Sequence, residues 1–81
     1  MLFKVYGKKD CMYCTLSVEL LEMLNKDYIY MVLDEDYTIS DFKSLFPEAK
    51  TAPQIITISN TEVNKIGGYE ELKELLTGPK S

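Results

Sequence analysis

Among its 81 residues the chain has no histidine, no tryptophan and no arginine, and it has only two cysteines. Without histidine it lacks the usual general base and the commonest metal ligand, which excludes Cys–His catalysis and histidine-containing zinc sites. Proton transfers are left to water, thiols, carboxylates or lysines. All the positive charge is lysine, nine residues set against thirteen acids for a net charge of −4. That balance argues against nucleic acid as a main partner, which requires a basic face. Long apolar runs are also missing. The longest, residues 28–33, is far too short to cross a bilayer, and the N-terminus has no charged region leading into an apolar segment and cleavage site. No membrane association is expected, and a cytoplasmic location is. With 46% hydrophobic residues, four glycines and three prolines, the composition is that of one small folded domain, residues 1–81.

What is present centres on Lys8-Lys9-Asp10-Cys11-Met12-Tyr13-Cys14, which holds both cysteines between a short apolar run and an amphipathic segment. Residues three apart at the start of a helix share a face with Cβ atoms about 5–6 Å apart, so a reversible disulfide is within reach. At a helix N-terminus a Cys11 thiolate would face unpaired N–H groups and the positive end of the helix dipole, both of which lower a thiol pKa from about 8.5. Cys11 is then the nucleophile and Cys14 the resolving thiol. A purely structural bridge is disfavoured, because so small a loop removes little chain entropy and no secretion signal is seen. A closed zinc site needs four ligands, which one Cys-x-x-Cys supplies only in a dimer.

Around this motif the pattern reads βαβαββα. Alternating Phe3 and Val5 against Lys4 and Tyr6 predicts a strand over 2–6, ended by Gly7. Leu16, Leu20, Met23 and Leu24 predict the inward face of a helix running to about Asn25. Residues 28–33 read as a buried strand parallel to the first, with the helix as crossover. Thr38 and Asp41 predict the capped start of a second helix, with Ile39, Phe42, Leu45 and Phe46 inward and Pro47 as its stop. Residues 54–59 and 62–66 read as a hairpin about Asn60-Thr61. Gly67-Gly68 then leads into a helix over 69–77 with Leu72, Leu75 and Leu76 on one face, stopped by Gly78-Pro79.

A βαβ unit whose helix opens on Cys-x-x-Cys is a sequence signal for a thioredoxin-like redox protein. Over essentially its whole length the chain resembles the glutaredoxins, through Cys11-Met12-Tyr13-Cys14, Thr51-Ala52-Pro53-Gln54-Ile55 and Gly67-Gly68-Tyr69-Glu70-Glu71-Leu72. The compact branch, which includes viral members, is the nearer match; thioredoxins proper usually carry Trp-Cys-Gly-Pro-Cys.

The resemblance implies a thioredoxin-like α/β fold with a four-stranded mixed sheet and three helices. It further implies glutathione-dependent thiol–disulfide oxidoreduction, with glutathione as co-substrate and no permanently bound cofactor or metal. Cys11 and Cys14 match the catalytic pair. Lys8 matches a lysine that stabilises the thiolate and meets a glutathione carboxylate, and Tyr13 matches a tyrosine covering bound glutathione. Thr51-Ala52-Pro53 matches the motif in which a cis proline leaves the preceding backbone free for the cysteinyl part of glutathione. Gly68, Tyr69 and Glu70 match the segment that holds its γ-glutamyl end, and Lys50, with Lys43, is a candidate for its glycine carboxylate.

Met12 stands where proline is common, Asp10 where threonine is, and Ala52 where valine is. The expected partners are disulfide-containing proteins, ribonucleotide reductase among them, and a monomer is expected. Two rival readings remain: a redoxin recharged by thioredoxin reductase, and a binding module, either an iron–sulfur-bridged dimer using Cys11 with glutathione or a subunit whose thiols are incidental.

Overall fold

The computed structural model describes residues 1–78. Seven elements follow in the expected order: β1 Leu2–Gly7, α1 Met12–Met23, β2 Tyr28–Val32, α2 Ile39–Leu45, β3 Gln54–Ser59, β4 Glu62–Gly67 and α3 Tyr69–Thr77. The sheet runs β2-β1-β3-β4, with β1 parallel to β2 and antiparallel to β3. β3 and β4 form the antiparallel hairpin, with a register shift between Ile55 and Ile56. This is the mixed four-stranded sheet with three helices of the thioredoxin-like fold.

Because side chains alternate along a strand, β1 and β3 each feed two cores. Phe3, Val5 and Ile55 pack with Leu20 and Leu21 of α1 and Leu72 of α3, while Tyr6 and Ile56 pack with Tyr37 and with Phe42 and Phe46 at α2. Tyr6 is therefore not on a solvated face: only 5% of it is exposed. Val5, Leu21, Ile55 and Leu72 are wholly buried, each contributing about 1.5–3 kcal/mol relative to exposure.

Several details differ from the pattern reading. β2 is an edge strand, with β1 on one side only, so its apolar run is half-exposed and Ile29 faces solvent. Leu33 lies beyond it in an isolated bridge to Tyr37. The buried face of α1 is Cys14, Ser17, Leu20 and Leu21. That line starts from the cysteine at helical spacing, and it turns Met23 and Leu24 outward. Ser17 is tolerated there because its hydroxyl donates to the Tyr13 carbonyl at 2.8 Å.

In α2 the Thr38–Asp41 capping box is formed in both directions, at 3.0 and 3.1 Å. Only Phe42 and Phe46 turn inward, and Ile39 and Leu45 are exposed. In α3 Leu72 is buried and Leu76 packs at the core edge, whereas Leu75 is exposed. Gly78 caps α3, and Pro79 lies outside the described residues.

Candidate active site

β1 ends at Gly7, and the chain must turn sharply to start α1. Asp10 makes that turn in the left-handed region, φ 54°, a conformation that aspartate tolerates better than most residues. Cys11 follows as the N-cap of α1 with extended backbone, and the Cys14 N–H donates to its sulfur at 3.2 Å. The sulfur thus occupies the acceptor position that an oxygen fills at most helix starts. Cys11 and Cys14 are disulfide-bonded, with their Cα atoms 5.2 Å apart. Cys14 is wholly buried, while Cys11 is partly exposed. Only Cys11 can meet an outside reagent without rearrangement.

The loop before β3 brings Ala52 and Pro53 to this point, across 41 residues of sequence. Cys11 Sγ lies 3.9 Å from the Ala52 carbonyl oxygen, and the Ala52–Pro53 peptide is cis. Beside Ala52 a groove of about 280 Å³ is lined by Lys8, Lys43, Lys50, Thr51 and Ala52, over an apolar floor that includes Phe42. Three of the candidate cations therefore share one groove. Pro53 abuts the start of α3, since a Cβ on Gly68 would sit 3.4 Å from the Pro53 carbonyl oxygen. Tyr69 reaches back to Tyr13, with ring centroids 5.9 Å apart.

Gly68 N–H is already engaged by Glu71 Oε1 at 2.8 Å. Having no side chain, Gly68 cannot return a capping bond, so the N–H groups of the first turn of α3 lack a side-chain cap. Glu70 is exposed on that turn. Cys11, Cys14, Tyr13, Ala52, Pro53, Gly68 and Tyr69 thus form one continuous region. Lys8, Lys50 and Thr51 flank it on the α2 side and Glu70 on the α3 side.

On the opposite, β2 side, a second groove of about 450 Å³ reaches Cys11, between the Lys8–Asp10 loop, the start of α1 and the end of β2. Lys8 lines both grooves. Lys9 instead pairs with Glu35 at 3.2 Å, both exposed.

Three residues that build the site escaped the sequence reading. A Cβ on Gly7 would fall 2.6 Å from Tyr30 Cε1 and 2.9 Å from Cys14 Sγ, so only glycine lets tyrosine, cysteine and backbone meet there. Tyr37, buried, donates its hydroxyl to the Gly7 carbonyl at 2.6 Å, and Tyr30 donates to the Lys8 carbonyl at 3.3 Å. Two tyrosines brace the loop that presents Lys8 and Cys11. Burial, with smaller contributions from Tyr30, Tyr6 and Asp34, pushes the Tyr37 hydroxyl from 10.0 to about 12.

No protein-family model matches the chain, and no curated protein matches it in sequence. Solved structures do. Reduced glutaredoxin from Escherichia coli superposes with a TM-score of 0.75 at 25% identity, over 95% of this chain and 94% of that one. Glutaredoxin 1 from Francisella tularensis, solved with cacodylate, gives 0.71 at 24% identity, over 94% and 92%. The fold is that of the glutaredoxins. Together with the Cys11–Cys14 pair at the start of α1, the likeness supports a thiol–disulfide oxidoreductase.

Proposed function

We propose that this chain of glutaredoxin fold is a glutathione-dependent thiol–disulfide oxidoreductase acting on glutathione mixed disulfides and protein disulfides. The observation that carries the reading is the position of Cys11 Sγ. It sits at a helix N-cap, 3.9 Å from an exposed-loop carbonyl, between a lysine-lined groove and a tyrosine-flanked helix start. Glutathione carries a carboxylate at each end, an ammonium beside one of them, and a thiol between. Its cysteinyl backbone would pair with Ala52 as an added strand does, its glycine carboxylate would meet Lys50, Lys43 and Lys8, and Tyr13 would cover the side that carries the sulfur. The γ-glutamyl carboxylate would take the N–H groups of Tyr69 and Glu70, since that of Gly68 is taken, and the Glu70 carboxylate would meet the ammonium.

The chemistry follows from the asymmetry of the pair. In the dithiol form the Cys11 thiolate attacks the glutathionyl sulfur of a mixed disulfide. The new Cys11–glutathione bond forms as the old bond breaks, and the departing thiolate takes a proton from water. A second glutathione thiolate then releases oxidised glutathione and restores Cys11. When the substrate is an intramolecular protein disulfide, Cys11 is left bonded to the protein; Cys14, one turn deeper, attacks Cys11 Sγ, forming the Cys11–Cys14 disulfide and releasing the protein as its dithiol, and two glutathiones then restore the enzyme dithiol and leave as oxidised glutathione. Disulfide-containing proteins are the acceptors, ribonucleotide reductase being one that the family resemblance implies, and the working form is a cytoplasmic monomer of one domain.

The test is a pair of serine substitutions in an assay coupled to glutathione reductase. Cys14→Ser should retain substantial activity on the glutathione mixed disulfide of a small thiol and lose most activity on an intramolecular protein disulfide, while Cys11→Ser loses both. A well-folded Cys14→Ser protein with no activity on the small mixed disulfide would overturn the glutathione reading. Turnover by thioredoxin reductase instead would then identify the reductant.

A further inference from the structure

Cys14 is wholly buried, yet it must turn on Cys11 each time a protein disulfide is reduced. Its sulfur lies against the end of β1: a Cβ on Gly7 would sit 2.9 Å from Cys14 Sγ, 2.6 Å from Tyr30 Cε1 and 2.9 Å from Tyr30 Oη. The sulfur and the tyrosine therefore meet across one residue that has no side chain. In the parallel ladder Tyr30 is paired with Val5 and Val32 with Gly7, which puts the Tyr30 ring on the face of the sheet where Val5 packs under α1. From there the ring runs along β1 past Gly7, and its hydroxyl donates to the Lys8 carbonyl at 3.3 Å. It is fixed at both ends, by the core at its root and by the active-site loop at its tip.

We propose that Tyr30 is a positioning residue for the resolving step: its ring closes the space beside Gly7 and holds Cys14 Sγ on the side that faces Cys11. The inference rests on the division of roles given above, Cys11 as nucleophile and Cys14 as resolving thiol, and not on glutathione. In the step itself Cys14 gives its proton to water and attacks Cys11 Sγ of a mixed disulfide. The Cys11–Cys14 bond forms, the bond from Cys11 to the substrate sulfur breaks, and its electron pair leaves on the substrate thiolate. One disulfide is exchanged for another, so no further oxidant or reductant takes part.

A cysteine side chain has several staggered χ1 wells to choose from, and the one that joins Cys14 to Cys11 is the productive one. Gly7 offers no side chain to limit the choice on the sheet side, so the limit falls to the Tyr30 ring. Intramolecular attack is fast only while the nucleophile is held close to its attacking geometry, and freedom to swing away lowers its effective concentration. The hydroxyl is not a base for Cys14. Burial raises its pKa above the ordinary 10.0, so it stays protonated at neutral pH, and its bond is to Lys8. What acts on Cys14 is the ring.

The experiment mixes reduced protein with dithiobis(nitrobenzoate), whose thiolate absorbs visible light, and follows the release in stopped flow. Capture of Cys11 releases the first thiolate at a rate that scales with reagent concentration. Attack by Cys14 releases the second at a rate that does not, and Cys14→Ser, which lacks this phase, identifies it. Tyr30→Ala is expected to slow the second phase about tenfold relative to the first, while Tyr30→Phe, which keeps the ring, stays within about twofold of the unaltered protein. Tyr30→Leu keeps apolar bulk in the core but ends at its Cδ atoms, short of Gly7; it is expected to slow the second phase as well, and it decides the matter if circular dichroism shows Tyr30→Ala unfolded. A second phase that is not slowed in the folded variants, or slowing of both phases alike, would overturn the role of Tyr30 and leave the exchange chemistry standing. A single release from the unaltered protein would overturn the division of roles and the inference with it.

Discussion

Replacing Tyr37 by phenylalanine isolates one hydroxyl at the base of the active-site loop. The Gly7 carbonyl accepts two bonds, from Tyr37 Oη at 2.6 Å and from Leu33 N–H at 2.9 Å. Phenylalanine removes the first and leaves the second, so no buried acceptor is orphaned, and the ring keeps its packing on Tyr6 and Phe42. The expected loss near pH 7 is therefore that of one net hydrogen bond, about 0.5–1.5 kcal/mol.

The sign of the difference depends on pH. The folded pKa of Tyr37 is raised to about 12 from 10.0, so the stability it contributes is fully present below the unfolded value and is lost as pH rises from there through the folded one. At pH 11 the unfolded hydroxyl is about nine-tenths ionised and the folded one about one-tenth, a difference of roughly 1.4 kcal/mol against the native protein. That offsets the hydrogen bond, so the two proteins should be about equally stable near pH 11 and reversed above it. Urea unfolding followed by circular dichroism at pH 7, 9, 10 and 11 reads this directly. The oxidised form keeps thiols out of the titration, and Tyr28 and Tyr30, also raised, are common to both proteins. A stability difference that stays constant from pH 8 to pH 11 would refute the reasoning.

Gly7→Ala places a methyl within 2.6 Å of Tyr30 and 2.9 Å of the Cys14 sulfur; denaturant titration should show a loss of about 1–3 kcal/mol, and the resolving step should slow, whereas an unchanged midpoint would mean that the loop yields freely. In the reduced protein, alkylation at neutral pH should label Cys11 much faster than Cys14, because Cys14 is wholly buried; peptide mapping after brief exposure to iodoacetamide checks it, and equal rates would reverse the assignment of roles. Lys8→Glu should raise the KM for glutathione more than Lys9→Glu, since Lys8 borders both grooves and Lys9 is paired with Glu35. Steady-state kinetics in which Lys9 proved the more sensitive would shift the glutathione contact by one residue.

What could be read from the sequence were features whose partners are near in the chain or whose side chains carry the chemistry. Cys11 and Cys14 are three residues apart, Thr38 and Asp41 cap a helix locally, and β1 shows its alternation within five residues. The face of α1 was misread because hydrophobicity was followed where burial is also open to small or self-satisfied residues. Ser17 earns its place by bonding to Tyr13 one turn back, and Cys14 by lying against Gly7. The burial of β2 was misjudged because an apolar run does not say how many neighbours a strand has, and here it has one.

Ala52 and Pro53 were identified through a family motif alone, since nothing local links them to a cysteine 41 residues away. Tyr30 and Tyr37 were invisible for a further reason. They bond to the backbone carbonyls of Lys8 and Gly7, 22 and 30 residues away, and a backbone acceptor leaves no mark on residue identity. The part of the site that could be read is the part that reacts; the part that holds it in place is written in backbone carbonyls and in a glycine too close to its neighbours for any side chain.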